Sequence, residues 1–133
     1  MNPEDVVRVF SHWQVIMDHP RARMDLARAK IIRARLQDGY TLEDLCLAID
    51  GNAASAWHQG ENDRHTRYDQ LSLILRDGEH VERFMEAGER AHKMLAQREE
   101  RRAEEVKTAT PPTPEQVEKV RDLLRSVKLR RVA

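Results

Sequence analysis

The residues able to do chemistry are few, and most sit in one polar stretch. His58, Asp63 and His65 lie close together, and imidazole with carboxylate is a ligand set for zinc and other divalent ions. Their spacing matches no metal-binding pattern and no cysteine pair accompanies them, so no metal and no cofactor is expected. Ser11, Ser55, Ser72 and Ser126 lack the elbow motif of a hydrolase nucleophile, and no glycine-rich phosphate loop occurs. Cys46, the single thiol, lies beside Leu45, where a small buried hydrophobe is a simpler role than a nucleophile. Nothing in this set calls for an enzyme.

A second set points to binding. Arg21, Arg28 and Arg35 recur every seven residues, with Arg23, Lys30 and Arg33 beside them, so the charges line up along one face. Such a face suits a phosphate backbone or an acidic protein, and a merely solvated face is the bland alternative. Trp57, His58 and Tyr68 flank the polar stretch and could offer stacking faces to bases. For each aromatic, packing against the core is the simpler reading, with Trp57 as a plug that anchors the loop.

Composition bounds the class. The chain has 133 residues, 23 Lys plus Arg against 23 Asp plus Glu, and 40% hydrophobic residues, which fits one small domain with extensions. No apolar run approaches the roughly 18 residues of a membrane helix, and no signal-peptide apolar segment opens the chain. One cysteine allows no internal disulfide. A soluble intracellular protein without membrane contact is expected. The zero net charge hides blocks: net +4 over residues 20–40, net −5 over 41–80 and net +3 from 108 onward.

The elements that would position these residues are helices, because apolar residues recur at three and four rather than two. Asn2, Pro3 and Glu4 open a first helix with the stripe Val6, Phe10, Trp13 and Met17, stopping near Asp18 before Pro20. A second runs from about Asp25 to Gln37, with Leu26, Ala29, Ile32 and Leu36 inward and Gly39 ending it. Thr41 caps a third, with an acid at its third position, running to Ile49 and stopped by Asp50 and Gly51. The short 39–41 connection predicts a tight pair of the second and third helices. A helix-turn-helix is disfavoured, because the third helix carries Glu43, Asp44 and Asp50 and no cation to read bases. Residues 51–57 could form a short helix before a loop that is either functional or mobile. Tyr68 leads into a short buried helix with Leu71, Leu73, Ile74 and Leu75.

From Glu79 to about Lys107 one long helix carries the stripe Val81, Phe84, Met85, Ala91, Met94 and Leu95, then becomes almost wholly charged. Thr113, Pro114 and Gln116 open a last helix with the stripe Val117, Val120, Leu123 or Leu124, and Val127, ending in Lys128, Arg130 and Arg131. A lone amphipathic helix is unstable in water, so it must dock on its own domain, a second copy or another protein. The expected fold class is all-α: a small domain of about five helices, a long projecting charged helix and a separate C-terminal amphipathic helix. The divisions are 1–95, 96–107, a linker at 108–113, and 114–133.

The order of several motifs carries a resemblance. Trp13-Gln14 with His19-Pro20-Arg21, Gly39-Tyr40-Thr41 with Glu43-Asp44-Leu45, Ser55 with Trp57-His58 and Asn62-Asp63, then Tyr68-Asp69 with Arg76-Asp77 follow one another along residues 6–87. This order resembles the C-terminal domain of phage and prophage replication initiation proteins, the replisome organisers of the lambda O or DnaD-like kind. The likeness begins at the second domain of such proteins, without the winged-helix domain that recognises an origin. The resemblance implies a replication adaptor in the cytoplasm of a bacterial host that binds a DnaB-type replicative helicase or its loader. Its alternatives are a single-stranded DNA-binding module and a phage-encoded inhibitor that occupies a host protein. It makes Arg21, Arg23, Arg28, Lys30, Arg33 and Arg35 candidates for nucleic acid. Trp57, His58, Tyr68, Arg76, Val117, Val120, Leu124 and Val127 become candidates for a partner, with a homo-oligomer through the last helix as a further option.

Overall fold

The protein is described by a computed structural model covering residues 2–132, with the side chains of 128–132 outside the description. It is all-helical over these residues: α1 Pro3–Ile16, α2 Leu26–Gln37, α3 Leu42–Ala54, α4 Leu71–Ile74, α5 Gly78–Thr108 and α6 Pro114–Val132. The chain divides into two compact units, 1–97 and 98–133. No helix among the described residues is long and apolar enough to cross a membrane.

In the first unit the local signals act as their chemistry requires. Asn2 accepts the Glu4 N–H at 3.0 Å and Pro3 occupies the first turn, so α1 starts with its free amides partly satisfied. Phe10, Trp13 and Met17 are buried along one stripe of α1. Thr41 and Asp44 form a reciprocal capping box, with bonds of 3.0 and 3.1 Å, at the start of α3. Asp77 accepts the His80 N–H at 2.8 Å ahead of α5, and that bond draws its carboxyl below the usual carboxylate value. The core gathers Val9 and Trp13 of α1, Ile32 of α2, Leu45 and Ile49 of α3, Leu71 and Ile74 of α4, and Val81 of α5.

Four expectations are corrected. Helix α3 does not stop at Ile49 but runs to Ala54, and Gly51 serves a crossing rather than a stop. A Cβ on Gly51 would collide with the Phe84 carbonyl and come 2.8 Å from the Gly88 nitrogen, so α3 and α5 touch backbone to backbone. Asp50 stays helical because its carboxylate is used sideways: it meets His12 Nε2 of α1 at 2.7 Å and His92 Nε2 of α5 at 2.9 Å. Second, α2 and α3 are not a tight pair. Helix α3 packs most heavily on α1, while α2 packs on α1 and α4. Gly39, at φ +108°, and Tyr40, whose hydroxyl reaches Gly78 O and Glu82, redirect the chain between them.

Third, Leu26 is not inward but 70% exposed. At about 100° per residue it lies about 120° around the helix from the buried Ile32, and Ile31 packs against the core instead. Fourth, Met94 and Leu95 on α5 are exposed, although Val81 and Phe84 of the same stripe are buried. Beyond the Gly51–Gly88 crossing the stripe lines an open groove rather than the core.

The second unit contains α6, opened by a capping box in which Thr113 N–H donates to Gln116 Oε1 at 3.0 Å and Gln116 N–H to Thr113 Oγ1 at 3.2 Å. The basic ending read at Lys128, Arg130 and Arg131 falls on side chains outside the description.

Candidate functional site

Residues 55–70 form a hydrogen-bonded loop that displays Trp57 and half-buries His58 and Tyr68. Asn62 organises its tip: its amide nitrogen donates to Trp57 O and Thr66 O at 2.8 and 2.7 Å, and its oxygen accepts from Arg64 N and Thr66 N. The Tyr68 N–H donates to His58 O at 2.7 Å, closing the loop at its neck. Below, fully buried Asn52 donates to Tyr68 O at 3.0 Å and accepts from Gln59 Nε2 at 2.9 Å. Asparagines that satisfy so many loop groups hold it in one shape.

Trp57 is therefore not the buried plug expected of it. Its side chain is 54% exposed and stacks on Tyr68 with ring centroids 5.2 Å apart and planes 15° from parallel. One indole face is covered by Tyr68, and His58 approaches edge-on at 4.9 Å. The reason is local: Asn62 and the Tyr68–His58 bond fix the neck, and Phe84, not Trp57, receives the other edge of His58 at 5.1 Å. His58 Nδ1 lies 2.7 Å from Ser55 Oγ, and burial pushes its pKa down.

The loop is tied to α1 through Asp69, which is 4% exposed. Its carboxylate meets Arg67 at 2.9 Å and His19 Nε2 at 2.8 Å, while Arg67 also donates to Met17 O at 3.0 Å. His19 lies over Trp13 at 5.0 Å, and the Arg28 guanidinium lies over the same indole at 5.2 Å. Trp13, His19, Arg21, Arg28 and Asp69 line one depression of about 580 Å³.

The basic residues divide by use. Arg21, Arg23, Lys30 and Arg33 are exposed and make no ion pair among the described residues. Arg28 is half-buried and donates to Arg23 O at 2.7 Å. Arg35 donates to Leu75 O and Arg76 O at 3.3 and 2.9 Å and pairs with Asp38 at 3.0 Å, so its guanidinium satisfies the turn that follows α4. Arg76 itself is exposed. Asp63 and His65 are exposed and stand apart from the Ser55–His58 pair, and no metal-holding group of three ligands occurs among the described residues. In the second unit Val117 is 40%, Val120 54%, Leu124 60% and Val127 53% exposed.

Sequence reasoning missed Asn52, Asn62, Arg67 and Asp69 as the residues that shape this surface. Only the Asn-Asp turn after Gly60 signalled any of them. No family model, no curated protein and no solved structure matches the chain.

Proposed function

We propose that the chain is a non-catalytic adaptor of the phage replication type that binds a DnaB-type replicative helicase through α6. The observation that carries this reading is the exposed stripe Val117, Val120, Leu124 and Val127 on a capped helix that follows a two-proline linker. A helix of this length gains stability in water by burying its apolar face, and a groove on a partner provides that burial. The resemblance over residues 6–87 supplies the partner class. The test is binding of the purified full chain to purified helicase by light scattering and calorimetry, beside a chain ending at Lys107. Binding by the full chain alone supports the reading; equal binding by both removes α6 from it.

A second reading, single-stranded DNA binding, rests on the exposed Trp57, stacked on half-buried Tyr68, with the exposed Arg64 on the same loop. Aromatic platforms beside cations hold bases without reading sequence. Anisotropy of a labelled oligonucleotide against salt tests it, because phosphate-dominated binding weakens steeply as salt rises.

A further inference from the structure

A groove of about 530 Å³ runs along α5 on the first unit and borders the loop at Ser55 and His58. His80, Phe84, Ala87, Ala91 and Met94 line it from α5, and their spacing of four, three, four and three is the seam a helix presents to another helix. From His80 to Met94 the seam is about 21 Å long at 1.5 Å per residue, enough for about four turns of a docked helix. The opposite wall is the end of α3, where Gly51 and Ala54 leave little side chain in the way, and Phe84 closes the floor at 6% exposure.

The charged groups in the groove lining are of one sign: Arg83 and Arg90, beside the imidazoles of His58 and of His80, which is bonded to Asp77, and the Ser55 hydroxyl, with no carboxylate in the lining itself. Arg83 and Arg90 are seven residues apart, so they lie on one edge of the seam about 10 Å apart. Arg90 makes no ion pair among the described residues, and Arg83 has only an exposed contact to Glu79 at 3.6 Å. His58 borders the groove with its ring fixed by Ser55: Nδ1 lies 2.7 Å from Ser55 Oγ, and the His58 main-chain N–H donates to the same oxygen at 3.4 Å.

We infer that this groove docks an amphipathic helix of a partner protein whose apolar stripe is flanked by acidic residues seven apart. The charges choose among occupants. A second copy laid antiparallel along the same seam would set Arg83 and Arg90 against the same two guanidiniums, a like-charge contact that disfavours self-pairing. A basic helix is rejected on the same ground. An acidic helix meets two guanidiniums along one edge and places its apolar side chains over Phe84 and the small residues.

The probe is an 18-residue helical peptide with a Leu/Ala stripe at three-four spacing and two Glu seven residues apart, compared with the same peptide carrying Lys at those positions. Binding is followed by amide chemical-shift mapping on the full chain. The expected result is that the Glu peptide perturbs Ser55, His58 and the 80–94 face of α5, while the Lys peptide binds roughly tenfold more weakly or not at all. Arg90→Glu, on an exposed position whose fold is checked by circular dichroism, reverses that preference. Failure of the Glu peptide to bind, equal binding of the two peptides, or shifts elsewhere on the chain overturns the proposal. Helicase binding by the full chain against the chain ending at Lys107 is a separate readout.

Discussion

The indole N–H of Trp13 donates to the main-chain oxygen of Asp69 at 2.7 Å, joining residues 56 positions apart. Through this bond the last turn of α1 holds the end of the loop, and the Asp69 carboxylate then holds Arg67 and His19. Burying a carboxylate is tolerated here because the Arg67 guanidinium and the His19 ring nitrogen both converge on it. Asp69→Ala removes the shared acceptor and leaves Arg67 and His19 to partial solvent. A loss of about 2 kcal/mol in urea-denaturation stability is expected, together with increased proteolysis within 58–68. Unchanged protection of that loop would show that Asp69 does not hold it.

The Gly51–Gly88 crossing makes a second expectation. Gly51→Ala gains up to about 1 kcal/mol of helix propensity but drives a methyl into the Phe84 carbonyl, a main-chain atom that cannot rotate away. Overpacking of this kind costs about 3 kcal/mol, so a lower urea midpoint is expected. A variant as stable as the parent contradicts the close helix contact.

Cys46 is a half-buried free thiol on α3. Burial, then the nearby Asp50 and Glu43, pushes its thiol up to about 11. Since the thiolate is the reacting form, alkylation by iodoacetamide at pH 8 is expected to run roughly a hundredfold slower than for the urea-unfolded chain. Equal rates would contradict burial of the thiol.

His58 gives a pH dependence of defined sign. Burial lowers its folded pKa below the usual value of about 6.5, so below that pH the unfolded chain takes up a proton that the folded chain resists. Its contribution is complete at pH 8 and is lost as the pH falls through 6.5 toward the folded value. His58→Gln is expected to flatten that part of the stability profile, measured by urea midpoints between pH 8 and pH 5. An unchanged slope would assign the effect to other groups.

The helical class, the start of α1 at Asn2-Pro3 and the Thr41–Asp44 box were legible because each depends on residues within one turn. Features set by distant residues were not. Asp50-Gly51 reads locally as a stop, but His12, His92 and the α5 backbone make both residues useful inside a helix. A tryptophan beside a loop reads as a plug, and only the Asn52 and Asn62 networks and the Tyr68 partner leave it on display. Of the six basic residues aligned on α2 and the turn before it, the sequence offered no way to tell Arg35, occupied by the Leu75 and Arg76 carbonyls, from Arg33, which makes no ion pair among the described residues.

The adaptor reading is tested most directly by replacing the exposed stripe while keeping the helix. In the full chain, Val120→Glu with Leu124→Glu is expected to leave the amide chemical shifts of the first unit unchanged and to abolish binding to purified DnaB-type helicase in calorimetry. Wild-type affinity in this double variant, or no binding by the parent chain, would contradict the claim that α6 is the helicase-binding element.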